Sequence, residues 1–261
     1  MQNSIRTIDF KKYSSIKIGP ILDVLVINEI GDYKDYEIIG RANNLLISPN
    51  TQKKFAILGE EFDYIKQNDN LLFVGCATTS GKLLTYTRKN DIANLEFLAK
   101  LPGNLGGLVK MNAGLKSWEM FNYIHSIKTK DGYIKKEDIQ YSYRETKINT
   151  IVYEVVFNIQ SGFSKEMLKE FNKMRDNQPH VPSAGSCFKN PKDDFAGRLI
   201  EAVELKGLRQ GDMSFSEQHA NFLVNNGAGT FEDAIYLIDL AKKKIKEEFS
   251  IDIEEEIIIY K

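Results

Sequence analysis

Short apolar runs closed by turn residues dominate the first third of this chain. Ile21-Leu22-Asp23-Val24-Leu25-Val26-Ile27 is β-branched and mostly apolar and is broken at Gly31-Asp32. Residues 36–39 then run into Gly40, and residues 45–47 toward Pro49. Residues 55–58 and 71–74 follow at similar spacing, each ending near a glycine. Runs of this kind predict strands, and their frequency predicts β-rich α+β layers rather than a helical bundle. The pattern changes at Thr79-Ser80-Gly81, which opens a helix over 82–89, while Asp91 is positioned to cap a shorter segment over 92–99. Past a glycine-dense stretch at 101–114, residues 124–128 and 133–135 read as strands joined at Asp131-Gly132, a pair suited to a tight turn that needs positive φ. Residues 151–159 make another strand, and Ser161-Gly162 marks a boundary. Residues 164–174 have helical spacing, with Phe163, Met167, Phe171 and Met174 on one face. The strongest helical pattern is 230–249, where Phe231, Ala234, Ile235, Ile238, Ala241, Ile245 and Phe249 form one stripe. Thr230 caps it, Glu232 and Asp233 suit its positive end, and Lys242 to Lys244 lie on a solvated face.

Composition narrows the function classes. Across 261 residues, 35 Lys and Arg balance 36 Asp and Glu for a formal charge of −1, so no global field steers the chain onto nucleic acid. The apolar runs are far too short to span a bilayer. The opening Met1-Gln-Asn-Ser-Ile-Arg lacks the apolar core of a signal peptide, and the expectation is a cytoplasmic protein. Cys76 and Cys187 make neither a CxxC pair nor a disulfide framework. His125, His180 and His219 show no metal-ligand spacing, so no metal is expected.

Three small-residue segments carry candidate chemistry. Gly40-Arg41-Ala42-Asn43-Asn44 follows a strand; Pro102-Gly103-Asn104-Leu105-Gly106-Gly107 is followed by Asn112-Ala113-Gly114. Both offer backbone N–H groups that side chains do not crowd, which suits a pyrophosphate, and both read equally well as ordinary turns. Neither GxxxxGK[ST] nor a strand-to-helix GxGxxG is present. The third segment, Pro182-Ser183-Ala184-Gly185-Ser186-Cys187-Phe188-Lys189-Asn190-Pro191, leaves the Ser186 hydroxyl accessible. Considered alone, Ser186 is either a turn serine or a proton donor. Arg144, after Tyr141-Ser142-Tyr143, is either a surface ion-pair partner or a planar anion clamp. Glu254-Glu255-Glu256 fits a charge guard on an edge strand, with Glu254 and Glu256 on one face. A thiol pair of Cys187 with His219 finds no supporting local signature.

In this order the segments resemble the UDP-N-acetylenolpyruvoylglucosamine reductase (MurB) family of bacterial cell-wall synthesis, over roughly residues 13–260. The strongest block is 182–191, similar to the family's AGSxFKNP. It is followed by Ala196-Gly197-Arg198-Leu199-Ile200-Glu201 and by Ser216-Glu217-Gln218-His219-Ala220-Asn221-Phe222-Leu223-Val224-Asn225. The 102–114 stretch resembles a PGxxGG…NAG flavin loop, Tyr143-Arg144 the family's YR, and Glu256-Ile257 its closing Glu. The resemblance implies an α+β protein with a two-part FAD-binding module of the vanillyl-alcohol-oxidase-like kind and a smaller α+β substrate domain. The expected boundaries are 1–62 with 250–261 returning to it, 63–160, and 161–249. It implies NADPH-dependent reduction of an enolpyruvyl ether on a UDP-sugar to the lactyl ether through FAD. Arg144 would hold the substrate carboxylate, Ser186 would supply a proton, and Glu256 would be protonated under the influence of burial and like charge. Flavin contacts would come from Gly40, Arg41, Asn43, Asn44, Gly103, Asn104, Gly106, Gly107, Asn112 and Gly114. Diphosphate or sugar contacts would come from Lys189, Asn190 and Asn221, with Arg175 and Gln178 as looser candidates. The small-molecule partner is the UDP-sugar; nucleic acid and membrane are excluded, and a monomer is expected.

The chain departs from the family pattern in places. Gly40-Arg41-Ala42-Asn43-Asn44 stands where the family commonly has GxGSN, and Ser14-Ser15 where it has Asn-Thr. The short interval from Arg144 to Ser186 implies the compact class without an inserted tyrosine loop, which leaves open the residue that covers the substrate. Segment 52–69 reads as trimmed or diverged. The competing readings are another FAD oxidoreductase with a different substrate, and a UDP-sugar or flavin binding protein without turnover. Retention of Arg144, Ser186 and Glu256 together argues against the latter.

Overall fold

Most of the apolar runs do become strands in the computed structural model, which describes residues 2–261. Ile21–Ile27, Tyr36–Ile38, Leu45–Ile47, Lys54–Leu58 and Leu71–Gly75 are strands, as the run-and-breaker pattern predicts. Contacts gather them into two compact units. The first comprises Met1–Arg6, Asp23–Arg41 and Lys54–Asp176, the second Thr7–Leu22, Ala42–Lys53 and Asn177–Lys261. Segments 7–22 and 42–53 thus pack with residues 177–261 in the second unit.

In the first unit, an antiparallel sheet has the order Gly132–Lys135, Ile124–Thr129, Glu154–Asn158, Leu71–Gly75, Ile65–Asn68. Its Ile127, Val155, Phe157, Leu72 and Val74 side chains are buried with Phe97, Phe121 and Leu105 in one apolar core. Burying each large side chain contributes roughly 1.5–3 kcal/mol before entropy is counted. The Asp131-Gly132 turn is present, with Gly132 at φ +113°. Lys54–Leu58 lies between Ile21–Ile27 and Tyr36–Ile38, and both pairings are parallel. The helix expected over 82–89 runs Ser80–Lys89, capped by the Thr79 side chain. The helix expected over 164–174 runs Lys165–Lys173, capped by Ser164.

In the second unit, Ser183–Ser186, Phe222–Asn225, Met213–Phe215 and Arg209–Gln210 form an antiparallel sheet in that order. The Phe231–Phe249 helix buries Ala234, Leu237, Ile238, Ala241 and Ile245 in its core. A reciprocal capping box joins Thr230 and Asp233 at the start of that helix, worth about 1 kcal/mol. The last strand, Ile258–Tyr260, pairs in parallel with Leu45–Ile47.

Three sequence expectations need correction. No helix forms over 92–99: Asp91 has φ +55°, and only a 3₁₀ turn, Glu96–Lys100, follows. The left-handed backbone at Asp91 and again at Asn94 (φ +72°) is incompatible with helix initiation there. Ser186 lies on a strand, not in a turn. The glutamates 254–256 precede the last strand instead of guarding its edge, and Glu255 bridges to Phe188. Ser4–Asp9 and Ala196–Ala202 are elements the pattern did not announce: one is polar and mostly exposed, the other short and interrupted by Gly197. Among the described residues, no helix is long and apolar enough to cross a membrane.

Candidate active site

In the first unit the glycine-dense stretch folds into a short helix, Leu105–Lys110, with Asn104 at its N-cap position. The Leu105 and Gly106 N–H groups donate to the carbonyls of Thr78 (2.9 Å) and Cys76 (3.0 Å), which fixes the loop and takes those two amides away from any anion. The two expected flavin loops meet: a Cβ placed on Gly40 would lie 3.7 Å from Asn104 Cβ. Asn104 Oδ1 is buried and has no hydrogen-bond partner. A buried amide oxygen in that state lacks a donor, and leaving it so costs on the order of 1–3 kcal/mol.

The loop continues into a corner that unites three of the sequence candidates. Asn112 is fully buried with φ +43°. Its Nδ2 donates to Glu119 Oε2 (2.9 Å) and the Ser142 carbonyl (3.0 Å), and its Oδ1 accepts from the Phe121 N–H (3.1 Å). Gly114 pairs with Glu119 in a two-residue ladder, and a Cβ on Gly114 would sit 2.2 Å from the Trp118 carbonyl oxygen, so only glycine permits this approach. Arg144 reaches the same corner from elsewhere in sequence. Ser142 pairs with Glu145, which leaves Tyr143-Arg144 as the tip of a tight hairpin. Arg144 takes φ +58° there, a left-handed conformation costing roughly 1–2 kcal/mol for a residue with a Cβ. Its Nη2 donates to the Gly114 carbonyl (2.8 Å), and its Nη1 lies 3.5 Å from both the Asn112 carbonyl oxygen and Glu119 Oε1. The Tyr143 ring lies 4.8 Å from the guanidinium carbon. With only 13% of its side chain exposed, Arg144 is a restrained cation, not a surface ion-pair partner.

In the second unit the Ser183–Ser186 strand delivers Ser186 opposite Phe222. The residues that follow it are clamped from two sides. On one side, Asn221 accepts the Cys187 N–H at its carbonyl (2.7 Å). Its carboxamide then spans Phe188, accepting the N–H at Oδ1 (3.0 Å) and donating Nδ2 to the carbonyl (2.8 Å). On the other side, the Glu256 N–H donates to the Cys187 carbonyl (2.8 Å), and the Lys189 N–H donates to the Glu254 carbonyl (2.9 Å). Asn44 Nδ2 donates to the Glu256 carbonyl (2.8 Å), and the Ile258 N–H donates to the Asn44 carbonyl (2.9 Å). Ser186, Lys189, Asn221, Asn44 and Glu256 therefore share one backbone framework. The Lys189 ammonium is paired with Glu254 (3.2 Å) and Glu255 with Lys242 (2.7 Å). Asn190 Oδ1 accepts from the Ala196 N–H (3.0 Å), next to the start of the Ala196–Ala202 helix.

The remaining candidates lie more loosely. Arg41 is exposed, and the Asn43 carbonyl accepts from the Ser15 hydroxyl (3.1 Å). Arg175 follows the Lys165–Lys173 helix, its N–H donating to the Asn172 carbonyl, and Gln178 lies half-buried in the turns beyond. Burial pushes the Cys187 thiol well up, with the Glu255 and Glu256 charges adding to it, the reverse of what a nucleophilic cysteine requires. Burial also lowers the His219 pKa, and its Nδ1 is buried without a partner while the ring packs edge-on against Phe222. Among the described residues no His, Cys, Asp and Glu cluster is suited to a metal. Sequence reasoning passed over Glu119. Its only local signal is its place one residue after Trp118 in a hairpin whose turn, Lys116-Ser117, has no Asn-Gly or Asp-Gly mark.

Comparison with known proteins agrees over the whole chain. The family model for the UDP-N-acetylenolpyruvoylglucosamine reductase C-terminal domain matches residues 177–260. A UDP-N-acetylenolpyruvoylglucosamine reductase of Helicobacter hepaticus is 46% identical over 257 residues, covering 97% of this chain and 97% of that protein. One of Fusobacterium nucleatum is 35% identical over 272 residues, covering 96% and 97%. The crystal structure of UDP-N-acetylenolpyruvylglucosamine reductase (MurB) from Thermus caldophilus superposes with a TM-score of 0.85 at 26% identity, over 100% of both chains.

Proposed function

Because the chain belongs to the UDP-N-acetylenolpyruvoylglucosamine reductase (MurB) family, we propose that it reduces the enolpyruvyl ether of UDP-N-acetylglucosamine to the lactyl ether of UDP-N-acetylmuramate, in peptidoglycan precursor synthesis. Its cofactor is FAD and its reductant NADPH. The residues present fit FAD: Asn104 Oδ1 lacks a donor, and the flavin ring and ribityl chain carry N–H and O–H donors. Gly40, Arg41, Asn43, Gly103, Asn104, Gly107 and Gly114 would hold it, with Gly106, Asn44 and the fully engaged Asn112 supporting the loops through the bonds already described. When bound, FAD supplies the hydride chemistry, from NADPH to the enolpyruvyl C3, and the protein supplies orientation and electrostatics.

The observation that carries this reading is the wiring of Arg144 into the Asn112–Gly114 corner. Addition of hydride leaves negative charge on the carbon beside the substrate carboxylate, delocalised as an enediolate. A guanidinium stays charged throughout and bonds two oxygens in one plane. Held in place before the substrate arrives, it need not reorganise as that charge develops. Ser186 donates the proton to the carbon beside the carboxylate. Glu256, half-buried beside the Cys187–Phe188 backbone, stands protonated when the anionic substrate is bound. Lys189, Asn190, Arg175 and Gln178 contact the diphosphate or sugar. Asn221 shapes their backbone, since its carboxamide is engaged on Phe188. Flavin binding is assigned to 1–62 with 250–261 and to 63–160, substrate binding to 161–249, in a cytoplasmic monomer of the compact class.

The purified protein is expected to be yellow, and its flavin absorbance to bleach when NADPH is added. A colourless protein without flavin affinity overturns the reading. Replacing Glu256 with Gln should lower turnover and alter the pH–rate profile; a wild-type profile contradicts the role given to Glu256.

A further inference from the structure

One charged side chain in the first unit has no place in the chemistry above, yet it touches two groups that do. Glu119 is 20% exposed and presents its two carboxylate oxygens to different partners. Oε2 accepts from Asn112 Nδ2 at 2.9 Å, and Oε1 lies 3.5 Å from Arg144 Nη1. Its backbone is equally determined. It pairs with Gly114 across the two-residue ladder, where Gly114 leaves room for no Cβ. Its neighbours Met120 and Phe121 donate their N–H groups to the Ala113 carbonyl (3.0 Å) and to Asn112 Oδ1 (3.1 Å).

From this geometry we infer that Glu119 is the positioning residue for Arg144: its carboxylate sets the plane of the guanidinium against the Asn112–Gly114 loop. The two carbonyl acceptors, Asn112 and Gly114, fix where the guanidinium sits, and both are neutral. Glu119 adds a countercharge with a defined direction, and by bonding Asn112 it ties that direction to the loop. A planar fork recognises a carboxylate only in register, and an error of about 1 Å in such a group costs on the order of 10²-fold in rate. The inference rests on the reductase reading for what Arg144 does, not for the geometry.

Glu119→Gln separates positioning from bracing. Its carboxamide oxygen still accepts from Asn112, so the loop keeps its brace, while the charge facing Arg144 disappears. The expected result is unchanged FAD content and flavin reduction by NADPH within about twofold of wild type, with reoxidation by the enolpyruvyl substrate slowed roughly 10- to 100-fold. KM should not rise, because removing a negative charge beside the guanidinium does not weaken its attraction for the substrate carboxylate. Equilibrium titration with UDP-N-acetylmuramate, which carries a carboxylate, and UDP-N-acetylglucosamine, which does not, should show no loss of affinity for either. Glu119→Asp, which retains the charge, should recover part of the reoxidation rate. Glu119→Gln added to Arg144→Lys should slow reoxidation by less than about twofold more, as expected of residues acting as one unit. Wild-type reoxidation in Glu119→Gln, loss of FAD from that variant, a raised KM with unchanged kcat, an aspartate worse than glutamine, or full additivity with Arg144→Lys each overturns the inference. If the wild-type protein itself fails to bind FAD or to be reoxidised, the reductase reading fails and Glu119 is not what has been tested.

Discussion

The Arg144 corner and the Ser186 strand organise their key side chains in opposite ways. At Arg144 the side chain itself is restrained: two carbonyls and a carboxylate surround the guanidinium, on a backbone held at φ +58°. At Ser186 the backbone is restrained and the hydroxyl is not. Asn221 and the 254–256 segment grip the three residues that follow it, while among the described residues no hydrogen bond from the protein engages the Ser186 hydroxyl. The difference follows from the chemistry each is proposed to perform. An arginine that stabilises charge works best when its dipoles are fixed beforehand, whereas a serine that gives up a proton needs a fixed address and a free rotor.

Removing the reactive atoms gives the largest effects. Ser186→Ala should slow flavin reoxidation by the enolpyruvyl substrate by roughly 10²- to 10⁴-fold and leave reduction by NADPH intact, as read by stopped-flow absorbance. Loss of both half-reactions would mean the strand, and not the hydroxyl, was what mattered. Breaking the clamp should act on stability instead. Asn221 is 4% exposed, and Asn221→Ala strips a buried N–H and a buried carbonyl of their partners at Phe188. A loss of about 2–4 kcal/mol in urea unfolding is expected. The same truncation with unchanged stability would show that the framework does not depend on its carboxamide.

These two regions also mark what could be read in the chain beforehand. The strands around both were legible because Leu71–Gly75 and Phe222–Asn225 are apolar runs with clear breakers. The long helix was legible because its stripe, cap and charges agree. What escaped were features set by tertiary contact. Asp91 looks like a helix cap until its left-handed backbone is seen, and Ser186 looks like a turn residue until Phe222 pairs with it. Glu119 has only its place after Trp118 to mark it, because the partner that singles it out is Arg144, twenty-five residues onward. Asn44 and Asn221 were legible as candidates, but their carboxamides work on backbone, which no spacing reveals.

Smaller effects sharpen the comparison. Ala42 occupies a left-handed position (φ +51°) where the family pattern has glycine, and it is buried. Ala42→Gly should relieve backbone strain and raise stability by up to about 1 kcal/mol in urea unfolding. Destabilisation would mean that the methyl group's packing outweighs the strain. His219 supplies a pH dependence. Burial lowers its pKa below the ordinary 6.5, so the unfolded chain binds the proton first and stability declines as pH falls below about 6.5. The slope of stability against pH between about 6.5 and 5 should flatten in His219→Gln; an unchanged slope assigns it to other groups.

The central claim is the reaction itself, and the most direct measurement is anaerobic. The purified protein is reduced with one equivalent of NADPH and then mixed with UDP-N-acetylglucosamine enolpyruvate or, separately, with UDP-N-acetylglucosamine. The account predicts rapid return of flavin absorbance with the first and none with the second, with UDP-N-acetylmuramate formed in equal amount. Flavin that stays reduced in the presence of the enolpyruvyl compound, or is reoxidised equally by both, would contradict it.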